Sequence, residues 1–211
     1  GNGAPLVPIG DELLFSQYDA CLNLGGFSNI SLQKNHQRIA FDISPVNVVL
    51  NYFAEKLGKN YDENGDFARN GAINFKILEE LNTLTFYQKS APKSLGVEFV
   101  NSEVLPLLKD ETPENIIATF TEHIAEQIAK VFNDNQLRTV LVTGGGTFNT
   151  YLLEKIREKS QTELIVPDEN IINFKEALIF AFMGVLRLRN EINVLCSATG
   201  SSENHCSGIL V

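Results

Sequence analysis

Three short segments carry groups that could handle a phosphate. Residues 140–142 are an apolar run that breaks, after Thr143, into Gly144-Gly145-Gly146 and restarts as a helix beyond Asn149. Residues 21–24 run in the same way into Gly25-Gly26 and then continue as a second strand, with Asn23 and Asn29 on either side of the turn. Glycine lets the backbone take positive φ and lets a ligand approach it closely. Amides bunched at such turns bind anions. The third segment is Phe41-Asp42-Ile43-Ser44-Pro45, where a carboxylate sits among apolar neighbours near a strand end. Burying that charge costs desolvation unless it has a partner or a task. Amides for charge and a carboxylate to deprotonate the attacking group are the parts that phosphoryl transfer requires. On residue types alone, two ligand-free turns and an Asp capping the helix after Pro45 account for these segments equally well.

The elements that must hold these groups can be read from pattern. Residues 21–24, 27–32 and 38–43 predict a β-meander, turning at Gly25-Gly26 and at the polar residues 34–37. Residues 46–57 suit a helix that Gly58 ends. Residues 59–72 are polar and read as a surface loop; Asp62, Asn64 and Asp66 invite a calcium reading but lack the ligand alternation of an EF-hand. Helices are expected at 74–84 and 97–108, with a turn at 92–96 between them. Thr112 is a good N-cap before Pro113, and Ile116, Phe120, Ile124, Ile128 and Phe132 then make one apolar face. His123 lies beside that stripe and is assigned no role. Strand 138–143, the glycine turn, helix 151–159 and strand 163–166 form a βαβ unit. Residues 174–190 read as an apolar helix buried on most sides, and the tail from Ser197 as a loop. A meander followed by helices and a βαβ unit is not the alternation of a Rossmann fold.

Bulk properties narrow the function. The net charge of −9, with no basic stripe, disfavours a nucleic-acid partner. Cys21, Cys196 and Cys206 offer neither a disulfide framework nor zinc spacing, so no protein-held metal is expected and a reducing cytoplasm is the simplest location. Residues 177–186 are too short an apolar run to span a bilayer, so no membrane role is expected. The chain opens on residues 1–8 without an initiator Met, and these read as a loop in the middle of something longer.

The order GxGAPLVP, LNLGGxxNIS, FDxxPxN, PKSxGxE, VTGGGxxN and EAxxFAxxG resembles the anhydro-N-acetylmuramic acid kinase family. The pieces occupy residues 1–8, 22–31, 41–47, 92–98, 142–149 and 176–184. The resemblance implies an α/β fold: a ribonuclease-H-like, actin-like ATPase lobe with a mixed sheet and flanking helices. It implies an enzyme that uses ATP and Mg2+ to phosphorylate 1,6-anhydro-N-acetylmuramic acid while water opens the anhydro bridge, giving N-acetylmuramic acid 6-phosphate in cell-wall recycling. By the same resemblance Asp42 is the general base for that water. Asn23, Gly25, Gly26 and Asn29 form a phosphate-binding hairpin, and Gly144, Gly145, Gly146 and Asn149 an adenosine-binding turn. Lys93 and Glu98 line or support the sugar cleft. Ser44 and Val46 stand where the family more often has glycines, and Leu95 and Val97 where it has Thr and Arg, which points to altered sugar contacts. The family's upstream GTSxDG-like loop has no counterpart in residues 1–211. These residues are therefore expected to be the C-terminal lobe of a two-lobed kinase, partnered by an N-terminal lobe, inactive alone, and able to form a homodimer. A non-catalytic nucleotide-binding relative and a kinase for another small sugar or acid are the competing readings.

Overall fold

The computed structural model describes residues 5–209. Residues 1–4 of the GxGAPLVP segment, and residues 210–211, lie outside them. A five-stranded mixed sheet in the order β3-β2-β1-β4-β5 organises the chain. The strands are β1 (Ala20–Leu24), β2 (Phe27–Lys34), β3 (Gln37–Pro45), β4 (Thr139–Thr143) and β5 (Glu163–Ile165). The first three form the antiparallel meander, while β4 and β5 run parallel to β1. Asn35 and His36 both have positive φ, at 50° and 62°, which is the twist a two-residue hairpin needs to match its strands.

Helices cover both faces, and the strand period of two decides which residues meet which helices. Ala20, Leu22, Leu24, Ile30, Leu32, Val140 and Val142 face a core built with α2 (Asn47–Lys56), α5 (Pro113–Asp134) and α6 (Thr150–Lys159). Two short helices, α3 (Asp66–Asn70) and α4 (Phe75–Asn82), pack outside α5. Cys21 and Leu141 point to the other face, where α1 (Pro8–Leu14) and α7 (Glu169–Leu188) make a smaller core with Ile9, Ile179 and Met183. Thr112 caps α5 through the Asn115 N–H at 3.4 Å, as its sequence position indicates.

Residues 5–7 are loop and turn, as expected, and Pro8 opens α1 at the first helical position, where its missing N–H is harmless. Three sequence expectations need correction. The polar stretch 59–72 contains a 3-10 turn (Glu63–Gly65) and α3. Asp62 accepts hydrogen bonds there from the Phe67 and Ala68 N–H groups at 2.7 and 3.1 Å, so its carboxylate starts a helix. No cluster of three or more His, Cys, Asp or Glu suited to a metal occurs among the described residues. The 97–108 helix has a π-helical middle, Val100–Val104, just before Pro106, which has no N–H to continue the regular ladder. Finally, α7 is buried along one stripe only. Ile172, Lys175, Ile179, Met183 and Leu186 face inward, while Phe174, Leu178, Phe180, Val185 and Leu188 are exposed. Nothing packs on its outer side among the described residues, so an apolar composition did not translate into burial.

Candidate active site

The two glycine turns meet because β1 and β4 are parallel neighbours and therefore end side by side. Their contact is tight. A Cβ on Gly144 would fall 2.5 Å from Asn23 Oδ1 and 2.8 Å from the Leu24 carbonyl oxygen, and one on Gly146 2.8 Å from Leu24 Cβ. Of the five glycines in the two turns only Gly144 has positive φ, at 86°. Gly144 and Gly146 are thus required by the packing of the protein on itself. Gly145 and Gly26 are different: both are exposed, and a Cβ on either would meet nothing within 4 Å. The N–H groups of Gly25, Gly26, Gly145 and Gly146 make no hydrogen bond among the described residues. Their carbonyl sides are used instead. Gly26 O accepts from the Val46 and Val48 N–H groups at 2.8 and 3.2 Å, and Gly25 O from Asn47 N–H at 3.3 Å, which ties the hairpin to the start of α2. Asn47 Nδ2 also donates to Leu24 O at 3.3 Å. Asn149 is buried and caps α6 through the Leu152 N–H at 3.0 Å.

A β-bulge aims Asp42. Ser28 pairs with Ser44 and Asn29 with Asp42, so β3 carries one extra residue, Ile43, at this point. Without it Asp42 and Ser44 would share a face, because side chains alternate. With it Asp42 turns toward the α1–α7 side beside the exposed Asn29, and Ser44 turns into the interior. Ser44 Oγ lies 3.3 Å from the Tyr87 hydroxyl. Tyr87 O–H donates to His123 Nε2 at 2.8 Å, and His123 Nδ1–H donates to Asn82 Oδ1 at 2.7 Å. His123 is wholly buried, and that burial holds its pKa down at about 3, so the ring is neutral and structural.

The segment after the Ala91-Pro92 cis bond runs along the free edge of β3. Asp42 N–H donates to Lys93 O at 3.0 Å, and Leu95 N–H donates to Asp42 Oδ2 at 2.8 Å. Oδ1 takes no hydrogen bond among the described residues. Burial raises the Asp42 pKa above the ordinary carboxylate value, and the Leu95 amide opposes this only in part. A half-buried carboxylate with a raised pKa and one free oxygen suits a proton acceptor.

Asp42 looks into a cleft of about 780 Å³ on this face of the sheet. Its floor consists of alternate strand residues: Cys21 and Asn23, Asn29 and Ser31, Ala40 and Asp42, and Thr143 before Gly144 and Gly145. Pro8 and Asp11 of α1 form one wall, and Asn173, Lys175 and Glu176 of α7 another. Lys175 Nζ lies 2.5 Å from Asp11 Oδ1, and Ser31 Oγ donates to Asp11 Oδ2. Arg38 Nη1 donates to Ser31 Oγ at 3.1 Å. Burial, aided by Asp11, pushes the Cys21 thiol up to about 12, so it stays protonated and is no nucleophile.

The structure therefore brings Asp42, Asn23, Asn29, Gly144 and Gly145 to one cleft, with Gly25 and Gly26 at the adjoining hairpin. Asn149 and Gly146 lie on the far side of the glycine turn, against a second cavity of about 460 Å³. Gly145 lines both. Lys93 borders the cleft, but its ammonium turns away, donating to Phe86 O at 3.3 Å over the Phe86 ring. Burial first, then Lys130 and Lys89, lower its pKa. Glu98 is exposed on the short helix Val97–Phe99 and does not line the cleft. The sequence reading missed the Leu95 amide and the α1 and α7 walls. Glu176 lies in the EAxxFAxxG segment, which offered a signal; Asp11 and Lys175 offered none, because only folding brings them together.

The chain is 33% identical over 220 residues to the anhydro-N-acetylmuramic acid kinase of Francisella tularensis subsp. novicida, covering 95% of this chain and 58% of that protein. It is 34% identical to the enzyme of the same name from Haemophilus influenzae, covering 95% of this chain and 59% of that one. The chain thus spans less than two thirds of the length of these relatives. Among solved structures, the activator of 2-hydroxyisocaproyl-CoA dehydratase from Clostridium difficile, with bound ADPNP, superposes with a TM-score of 0.50 at 17% identity, over 82% of this chain and 61% of that one. Component A of the (R)-2-hydroxyglutaryl-CoA dehydratase of Acidaminococcus fermentans also gives 0.50, at 16% identity, over 82% of this chain and 63% of that one. The fold is a ribonuclease-H-like lobe of the actin-like ATPase type. With the family model for anhydro-N-acetylmuramic acid kinase matching residues 1–211 throughout, the chain belongs to that family.

Proposed function

We propose that this chain carries the general base and one side of the nucleotide site of an ATP-dependent kinase for 1,6-anhydro-N-acetylmuramic acid. The observation that carries the reading is the placement of Asp42. The bulge and the Leu95 amide hold its carboxylate in the cleft that Gly144 and Gly145 also line, beside the Gly25-Gly26 hairpin. In the proposed step Asp42 takes a proton from water as the water oxygen bonds to the anomeric carbon. The bond from that carbon to O6 breaks, O6 bonds to the γ-phosphorus of ATP, and ADP leaves. Asn23, Asn29 and the amides of Gly25, Gly26, Gly144 and Gly145 face the phosphates. Gly146 and Asn149 shape the nucleoside side. Lys93 and Glu98 support the sugar wall rather than reach into it.

Mg2+ usually binds largely through substrate phosphates and water rather than a protein cage. The amide oxygens of Asn23 and Asn29, which line the cleft, are the groups that would face it, and Asp42 Oδ1 is kept for the water. When bound it supplies neutralisation of phosphate charge.

The same reading makes residues 1–211 the C-terminal lobe of a two-lobed cytoplasmic enzyme of cell-wall recycling. A second lobe supplies the opposing half of the phosphate clamp, and a homodimer is allowed. The test is ADP release by the full-length protein with and without the anhydro sugar. Sugar-dependent turnover is expected in the wild type. Asp42→Asn is expected to lower kcat by about 10²–10⁴ while leaving nucleotide affinity unchanged. Retention of more than a third of wild-type kcat would remove Asp42 from the base role.

A further inference from the structure

Ser28 has no part in the chemistry described above, yet it grips the stretch of backbone that aims the base. It is wholly buried on β2 and lines neither the Asp42 cleft nor the cavity beyond the glycine turn. A hydroxyl without access to water costs free energy unless it is hydrogen-bonded. This one is bonded twice, to a single residue. Ser28 Oγ accepts from the Ser44 N–H at 3.1 Å and donates to the Ser44 carbonyl oxygen at 3.0 Å. Ser44 directly follows Ile43, the extra residue of the bulge.

A bulge interrupts the ladder, and a strand whose pairing slips by one residue shows its opposite face. The interior side of β3 prevents such a slip. Ile43 and Ser44 are consecutive, yet both are buried, at 2% and 0% exposure, which leaves Asp42 alone facing the cleft. The Ser28 hydroxyl holds both backbone groups of Ser44 in that arrangement. Ser44 Oγ in turn donates to Pro45 O at 3.0 Å and lies 3.3 Å from the Tyr87 hydroxyl of the short helix Thr85–Gln88. On the outer side, the 93–95 segment holds Asp42 itself, through the Asp42 N–H to Lys93 O and the Leu95 N–H to Oδ2. The outer contacts orient the carboxylate, and the inner ones fix the register from which it projects.

We propose that Ser28 is a positioning residue for the proton transfer. Its hydroxyl keeps the bulge in the register that points Asp42 into the cleft, and so governs the rate of the step in which Asp42 takes the proton, not the binding of either substrate. The inference rests on the reading of Asp42 as general base. A base must lie within hydrogen-bond reach of the proton it removes, and a displacement of about 1 Å can cost about 10²-fold in rate. Without the hydroxyl, the Ser44 N–H and carbonyl lose this partner in a dry interior, and the backbone beside Asp42 relaxes.

The test is sugar-dependent ADP release by the full-length protein carrying Ser28→Ala, Ser28→Cys, Asp42→Asn, or Ser28→Ala together with Asp42→Asn. Ser28→Ala is expected to lower kcat about 5- to 50-fold. The KM for the sugar and the calorimetric affinity for ADP should not change. Ser28→Cys, similar in size but with a weaker donor and acceptor, should fall between Ser28→Ala and wild type. The double variant should be no slower than Asp42→Asn, because Ser28 acts only through the base. Thermal melting checks that each variant is folded at the assay temperature. Wild-type kcat in folded Ser28→Ala overturns the proposal, as does a loss confined to KM. A further loss of the same factor in the Asp42→Asn background overturns it too, because Ser28 would then serve the fold alone. If Ser28→Ala does not fold, Ser28→Cys decides, and wild-type kcat in that variant overturns the proposal. Wild-type kcat in Asp42→Asn instead overturns the base assignment, so the two failures appear in different variants.

Discussion

Asp42 connects chemistry to stability. Its pKa is raised in the folded protein by burial, so the folded state holds the proton more tightly than the unfolded chain does. Between the ordinary carboxylate value of 3.8 and the raised folded value, the unfolded state binds fewer protons, and stability therefore falls as pH rises through that window. Above it the ionised carboxylate is a standing cost. Asp42→Asn, which keeps an acceptor for the Leu95 N–H, is expected to melt at the same or a higher temperature than wild type at pH 7. That advantage should vanish below pH ~4. A variant that melts lower at neutral pH would mean that the charge has a stabilising partner. The glycine turn offers a second contrast between neighbours. Gly144→Ala is expected to cost about 1–3 kcal/mol, from its positive φ and from contact with Asn23 and Leu24. Gly145→Val has neither problem and should melt near wild type, yet it places a branched side chain where the two cavities join, and should weaken ADP at least tenfold. Denaturant titration and calorimetry on the pair check both halves.

The helix α5 carries the acid sensitivity of the fold. His123 donates to Asn82, accepts from Tyr87 and has no contact with solvent, so its folded pKa lies at about 3, against 6.5 for an ordinary histidine. The sign follows from proton counting. Below pH 6.5 the unfolded chain binds a proton that the folded chain refuses, so stability is fully present above that pH and is lost as pH falls toward 3. The loss approaches about 1.4 kcal/mol for each pH unit in the window. His123→Gln is expected to be less stable at pH 8, because the Tyr87 and Asn82 contacts are disturbed, but to show a flatter dependence of melting temperature on pH between 6.5 and 4. An unchanged slope would show that the histidine is charged in the fold. The network matters to the site because Tyr87 also contacts Ser44, two residues from Asp42 on the same strand.

At the scale of the molecule, the exposed face of α7 is the least explained surface. Phe174, Leu178, Val185 and Leu188 stand outward on a helix whose inner stripe closes the smaller core. Apolar area of this kind on an exposed helix face marks a contact surface. Residues 1–211 purified alone are therefore expected to self-associate in sedimentation velocity, and the double substitution Leu178→Glu and Leu188→Glu should shift them to the monomer with the melting temperature unchanged. Persistence of the oligomer would locate the contact elsewhere.

How much of this was legible in the residues can be traced element by element. The meander, the Thr112 cap with the apolar stripe of α5, and the βαβ unit after Thr139 were readable because each is local. Turn chemistry, caps and periodicity act within a few residues of one another. The glycine turns and Asp42 were readable as candidates for the same reason, and the order of motifs pointed to the family. What folding alone decided was adjacency and facing. The parallel pairing of β1 with β4 brings two turns from distant parts of the chain into contact, and shows that Gly144 serves packing while Gly145 faces open space. A single-residue bulge turns Asp42 into the cleft and Ser44 away from it, and a slip of one residue in a strand reverses a face without any change in composition. Lys93 turned from the cleft to Phe86, and α7 kept its apolar flank exposed, because both outcomes depend on which neighbours arrive. Local sequence specifies which groups a segment carries. Only the long-range pairing of strands and helices specifies what those groups face.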